Sequence, residues 1–234
     1  MLAGTIARLQ HPVDSLLEDH HRGGALPALS VEQTQTRVDD PPVQAGSAAT
    51  TIETQAIDAM VLEDTDTPGV LHTEQVASTT TIVADWVADV TGTGLVVAST
   101  TDGDDRWAFP YGLVANQTGE RLDRLEIDVT QMHAAWSSDD DLGDVWMTGA
   151  SDDDDATQIQ YHDAADIETR PTIGMGFTRP WGGTVVRGIV YQSGYVAIYS
   201  AETPATFIGF LEECILPYVE AHDGEMQSTL SEVS

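Results

Sequence analysis

The chain has 234 residues, with nine Arg, no Lys and 39 acidic residues, for a net charge of −30. That balance excludes nucleic-acid binding through a broad basic face, which needs clustered cations to neutralise phosphates. Cys214, the single cysteine, excludes an intrachain disulfide and a Cys-rich zinc site, and no apolar run reaches the ~18 residues that cross a bilayer as a helix.

The opening MLAGTIARLQ has no charged region followed by a long apolar stretch, so no secretory signal is expected. Leu2, Ile6, Leu9, Val13 and Leu16 recur at alternating intervals of four and three, which predicts an amphipathic helical segment over 1–20, broken at Pro12. Residues 21–50, with Gly23-Gly24, Pro27 and Pro41-Pro42, read as a linker or extended arm without a core of its own. A β-rich domain is expected over 51–220. Ile82, Ala84, Trp86, Ala88 and Val90 alternate at period 2, Gly92-Thr93-Gly94 is a turn, and Leu95–Ala98 is a more buried strand. Trp107-Ala108-Phe109 reads as a strand stopped by Pro110. Leu125, Ile127 and Val129 give another strand, and Thr130 is placed to cap a short helix over 131–136. Val145–Met147 is a short strand before a long acidic loop at 149–155.

Further along, Ile173, Met175 and Phe177 alternate, Pro180–Gly183 turns, and 185–192 with 195–199 form a hairpin closed at Ser193-Gly194. Thr203-Pro204 is a helix start, with Thr as N-cap and Pro in the first turn. Phe207, Ile208, Phe210, Leu211, Cys214, Ile215 and Leu216 form that helix's apolar stripe, which leaves Glu212 on its exposed side. Residues 221–234 read as a flexible tail. The fold class is α+β: a mainly antiparallel sheet, or a sandwich or jelly roll, with a C-terminal helix packed on it and a short helical N-terminus.

Lysine-free, Asp-, Thr-, Val- and Ala-rich composition resembles that of proteins from halophilic archaea and their viruses. This is a resemblance of composition and identifies no family. At molar salt the Debye length is about 3 Å, so dense surface carboxylates hydrate the protein without driving it apart. Five Trp, six Tyr and the patterned strands argue against the disorder that high charge otherwise favours.

Chemical motifs are sparse. The clusters Asp139-Asp140-Asp141 with Asp144, and Asp152–Asp155, lack the spacing of a calcium loop and read as solvated faces with loosely associated monovalent cations. His20-His21 are adjacent and point apart; His162 follows a strand; Asp128 and His133 could form an acid–base pair but have no nucleophile motif beside them. Gly174-Met175-Gly176 lies in a strand pattern and lacks the third glycine of a nucleotide loop. Cys214 reads as a buried, inert thiol, and Trp107 and Trp181, beside turns, as contact-surface candidates or core-edge residues.

No catalytic residue, cofactor or metal is assigned. The reading favoured is a non-enzymatic interaction or assembly protein of a halophilic archaeon or its virus, such as a virion or lattice component in a high-salt cytoplasm or virion. Its expected partner is a second copy or another protein. The alternatives are a small enzyme or ligand-binding domain using isolated Asp and His residues, and a regulator touching nucleic acid through Arg121, Arg124, Arg179 and Arg187, the least favoured given the charge.

Overall fold

The computed structural model describes residues 1–22, 25–64, 67–99, 108–138, 145–149, 159–161 and 172–221. In chain order these form β1 (Leu2–Leu9), β2 (His20–Arg22), β3 (Ala25–Gln35), β4 (Val43–Asp64), β5 (Thr67–Asp89), β6 (Leu95–Ala98), α1 (Phe109–Thr118), β7 (Leu122–Ile127), α2 (Val129–Ser138), β8 (Trp146–Gly149) and β9 (Ile159–Tyr161). There follow β10 (Thr172–Trp181), β11 (Thr184–Tyr191), β12 (Tyr195–Ile198), α3 (Pro204–Phe210), a π-helical turn (Leu211–Ile215), a 3-10 turn (Leu216–Tyr218) and β13 (Val219–Ala221). The fold is mostly antiparallel β-sheet with a few helices. Strand order is β2-β3-β4-β5-β6-β1-β12-β11-β10-β8-β9, and β7 joins β1 to β13.

The N-terminus is a strand, not a helix. Gly4, Thr5 and Ile6 are poor helix formers, and β1 lies at the centre of the sheet. One edge pairs with β6 over Thr5–Arg8; the other pairs first with β12 over Leu2–Thr5 and then with β7 over Ala7–Leu9. The intervals of four and three are coincidental to this geometry: Ile6 packs in one apolar cluster and Leu9 in the cluster on the opposite face. Residues 10–19 then strap across that second face. Gln44 holds the strap at Leu17, accepting from its N–H (2.8 Å) and donating to its carbonyl (2.9 Å); Gln117 does the same at Glu18 (3.0 and 2.7 Å).

The expected arm at 21–50 is likewise corrected. It supplies β2, β3 and the first rungs of β4, with Leu29, Val43, Ala45 and Ala48 buried. Proline and glycine there mark the ends of strands, and β4 runs unbroken through the expected boundary at residue 51.

Helices cover both faces of the sheet's centre, in place of the second sheet that a sandwich would need. On one face α2, α3 and the π turn pack over Ile6, Val97, Val190, Val196 and Ile198; on the other α1 and the strap pack over Ala7, Trp86, Ala88 and Val96. All four residues of β6 are consequently buried. Phe109 and Pro110 open α1 instead of ending a strand; proline is well placed there because first-turn N–H groups have no helical partner. Tyr111 on α1 reaches into the sheet, where its hydroxyl donates to the Thr5 carbonyl and accepts from Ala98 N–H, extending the β1–β6 ladder.

Asp128, not Thr130, caps α2, accepting from Gln131 N–H at 2.8 Å. The C-terminal helix starts as predicted, with Thr203 Oγ1 accepting from Thr206 N–H and Pro204 in the first turn. It widens into the π turn and then tightens at Leu216–Tyr218, where Pro217 supplies no N–H for a continued helix. No described helix is long and apolar enough to cross a membrane. The stretches at 102–105, 139–144 and 150–158, with Trp107, His162 and 222–234, lie outside the described residues.

Candidate functional site

Among the described elements β4 and β5 are the longest, and most of their length runs beyond β3 and β6, the other strands that pair with them. β3 leaves β4 after the Ala28–Ala49 pair, and β6 pairs with β5 only over Trp86–Asp89. From Thr50 to Asp64 on one strand, and from Thr67 to Ala84 on the other, the two strands pair with each other and with no third strand among the described residues. At about 3.3 Å per residue this ribbon is roughly 45 Å long. Thr79, Thr80, Thr81 and Val83 near its base, and Val76 further out, are exposed. Its sequence explains the extended backbone: Thr, Val and Ile recur throughout, and no Gly or Pro occurs between Gly46 and Pro68 or between Gly69 and Gly92. That absence of chain breakers is the signal for a long hairpin, whereas the prolines of 21–50 stand at or near strand ends.

The far end of β5, inside the body where it pairs with β6, is tied down by a buried ionic cluster. Arg37, between β3 and β4, donates through Nη1 to Glu212 (2.5 Å), through Nη2 to Asp89 (3.0 Å) and through Nε to the Pro41 carbonyl (2.9 Å). Asp89 closes β5, is fully buried and also accepts from Gly92 and Thr93 N–H (2.8 and 3.1 Å). Thr93 Oγ1 lies 3.1 Å from Glu212 Oε1. The side chains of Arg37 and Glu212 are 10% and 18% exposed. Glu212 is therefore not on an open surface as its helical spacing suggests, because α3 docks that flank onto the β5–β6 turn. Burial raises its pKa, opposed by the hydrogen bond from Arg37. Gln35 adds a further tie by accepting from Ala205 N–H at 3.0 Å.

The residues considered for catalysis do not converge. Asp128 is committed to capping α2, while His133, its pKa lowered by burial, has Nε2 3.3 Å from Ser137 Oγ one turn on. His20 and His21 lie on the edge strand β2. Gly174-Met175-Gly176 is an ordinary part of β10. Cys214 is buried among apolar side chains, and burial pushes its thiol up to about 11. Trp181 packs edge-on to Phe210 at 5.5 Å and donates to Glu213 at 2.7 Å, which places it at the core's edge.

The four arginines form no single patch. Arg124 donates to the Ser193 carbonyl, Arg121 pairs with Asp123 at 3.2 Å, and Arg179 stacks on Trp136 at 4.5 Å among the opposite apolar cluster. An open groove of about 330 Å³ lies between Arg8, Gln10, Asp123 and Leu216. Its polar groups are engaged: Arg8 Nε donates to the Thr93 carbonyl (2.9 Å) and Gln10 to Asp123 (3.2 Å). Among the described residues no three His, Cys, Asp or Glu side chains are grouped to hold a metal. No protein-family model matches the chain, and no curated protein matches it in sequence.

Proposed function

We propose that this protein is a non-enzymatic assembly component that engages neighbouring molecules through the β4–β5 ribbon. The observation that carries this reading is a two-stranded ribbon roughly 45 Å long, continuous with two strands of the body and paired with no third strand among the described residues. A two-stranded hairpin in water is marginally stable by itself. A ribbon whose outer strand edges lack partners gains most when another molecule completes the sheet or covers its face. Among the described residues the histidines and carboxylates are dispersed, which supports this over an enzymatic role.

The net charge of −30 and the absence of lysine support a high-salt setting, that of a halophilic archaeon or its virus, with a virion or lattice component as the concrete version. The test is to replace residues 54–78 by an Asn-Gly turn between Glu53 and Thr79, which are already cross-strand partners. The shortened chain should keep the body's thermal melt in molar KCl and lose self-association or partner binding. Unchanged association would refute the ribbon's role.

A further inference from the structure

In a chain where acidic residues outnumber basic ones more than fourfold, no Asp or Glu occurs between Glu168 and Glu202. The next widest interval, Asp105 to Glu120, is less than half as long. The same interval holds Arg170, Arg179 and Arg187, a third of the chain's basic residues. Structurally it is three adjacent strands, β10, β11 and β12. Their faces differ. One face carries Met175, Phe177, Val190, Val196 and Ile198 into the core beneath α2 and α3. The opposite face carries Tyr191, Tyr195 and Tyr199 with Val185 and Arg187.

Register places these side chains together. Ile189 pairs with Ala197, so Tyr191 stands opposite Tyr195, their rings 6.1 Å apart. Tyr199 N–H continues the ladder to the Arg187 carbonyl at 2.8 Å. The Tyr191 ring packs against Gly174, where an added Cβ would come within 2.6 Å of it and displace the ring. Val185 is 56% and Tyr199 53% exposed, and Arg187 is exposed between them. Carboxylates, abundant in the rest of the sequence, are costly to strip of water. These three strands contribute none, so their aromatic and aliphatic area can be covered with less of that cost.

We infer that this tyrosine face receives the β4–β5 ribbon of a second copy, in a head-to-tail contact. The inference rests on the assembly reading above and names the surface on which the ribbon lands. Charge complementarity selects the occupant. The chain has no Lys or Arg between Arg37 and Arg106, so the whole ribbon is free of them, and the last two residues of β4 are Glu63 and Asp64. Arg187 therefore meets only neutral or acidic side chains there, at contact range where salt screens least. A face-to-face pairing of two copies would instead bring arginine toward arginine. Because donor and receiver are different surfaces, the contact repeats into a ring or a filament.

The experiment uses the full chain in about 3 M KCl, well beyond the 1 M at which the Debye length is about 3 Å, followed by sedimentation velocity. The receiver variant carries V185D and Y199D, both at exposed positions; the donor variant is the shortened ribbon, with V76D as a point-substituted second version. Thermal melts confirm folding. Wild type is expected to form multi-copy species, and each variant alone to weaken association by about 100-fold or more. An equimolar mixture is expected to give a one-to-one dimer, since each partner retains the half-site the other lacks. Wild-type assembly that survives V185D/Y199D overturns the tyrosine face as receiver while leaving the ribbon reading standing. Loss in both variants with no rescue on mixing overturns the ribbon as its occupant. A monomeric wild type overturns both readings.

Discussion

Arg37 is the residue that ties the end of β5 to the C-terminal helix. One guanidinium serves two carboxylates, one of them fully buried, along with a carbonyl, so its removal strands Asp89 and Glu212 in a poorly hydrated site. Arg37→Ala should cost roughly 3–5 kcal/mol, the usual penalty for deleting one partner of a buried ion pair, as measured by denaturant unfolding at fixed high salt. A change below ~0.5 kcal/mol, typical of an exposed position, would show that the cluster is dispensable. Glu212 carries a pH signature of its own. Its folded pKa lies above the unfolded value because of burial, so the folded state binds the extra proton between the two. Its contribution to stability is present below the unfolded pKa and is lost as pH rises through the folded one. Glu212→Gln should flatten that loss; an unaltered pH profile would contradict it. Cys214, with its thiol pushed up to about 11 by burial, should resist a thiol reagent at pH 8 in high salt and react fully once the chain is unfolded. Rapid labelling of the folded protein would place the thiol at the surface.

At the level of elements, the C-terminal helix is the firmest link between pattern and structure. Phe210 is buried, stacks on Phe177 at 5.8 Å and meets Trp181 edge-on; Phe177 in turn meets Trp136 at 5.0 Å. Phe210→Ala empties the centre of this aromatic group and should destabilise the body by roughly 3–5 kcal/mol. If stability held while assembly failed, the helix would be an interface element and not core.

These elements also show what was legible in the sequence. The hairpin β11–β12, the strands β6, β7 and β10, and the start of α3 carry local signals: period-2 alternation, Gly194 at φ 82° in the turn, a Thr-Pro cap. The N-terminal strand does not. A strand buried on both faces shows no alternation, and the chance spacing of Leu2, Ile6 and Leu9 imitated a helix. Helix α1 was hidden for a related reason. Packed beneath the strap and against the sheet, it has buried residues Pro110, Tyr111, Leu113 and Val114, with no polar stripe to reveal a period. Of the candidate site, the strand-like composition from Thr51 was visible, but the pairing that leaves it without neighbours depends on where β3 and β6 stop, which is a tertiary property.

For the whole molecule, charge and architecture point the same way. A net charge of −30 on a single sheet should make folding depend on salt. Lowering KCl from about 3 M to about 0.1 M lengthens the Debye length to about 10 Å and restores repulsion between carboxylates. The melt should lose cooperativity over that range, and Cys214 should become reactive in step; a melt indifferent to salt would refute a salt-adapted surface. Against that acidic background, the ribbon and the strands β10–β12 are the two departures, one with no third strand paired to it among the described residues and the other contributing no carboxylate of its own.

The most direct measurement is sedimentation velocity of the full chain beside the ribbon-shortened chain, at equal concentration in about 3 M KCl. The full chain should sediment as a multi-copy species and the shortened chain as a folded monomer. Identical sedimentation of the two, whether both assembled or both monomeric, would contradict assembly through the ribbon.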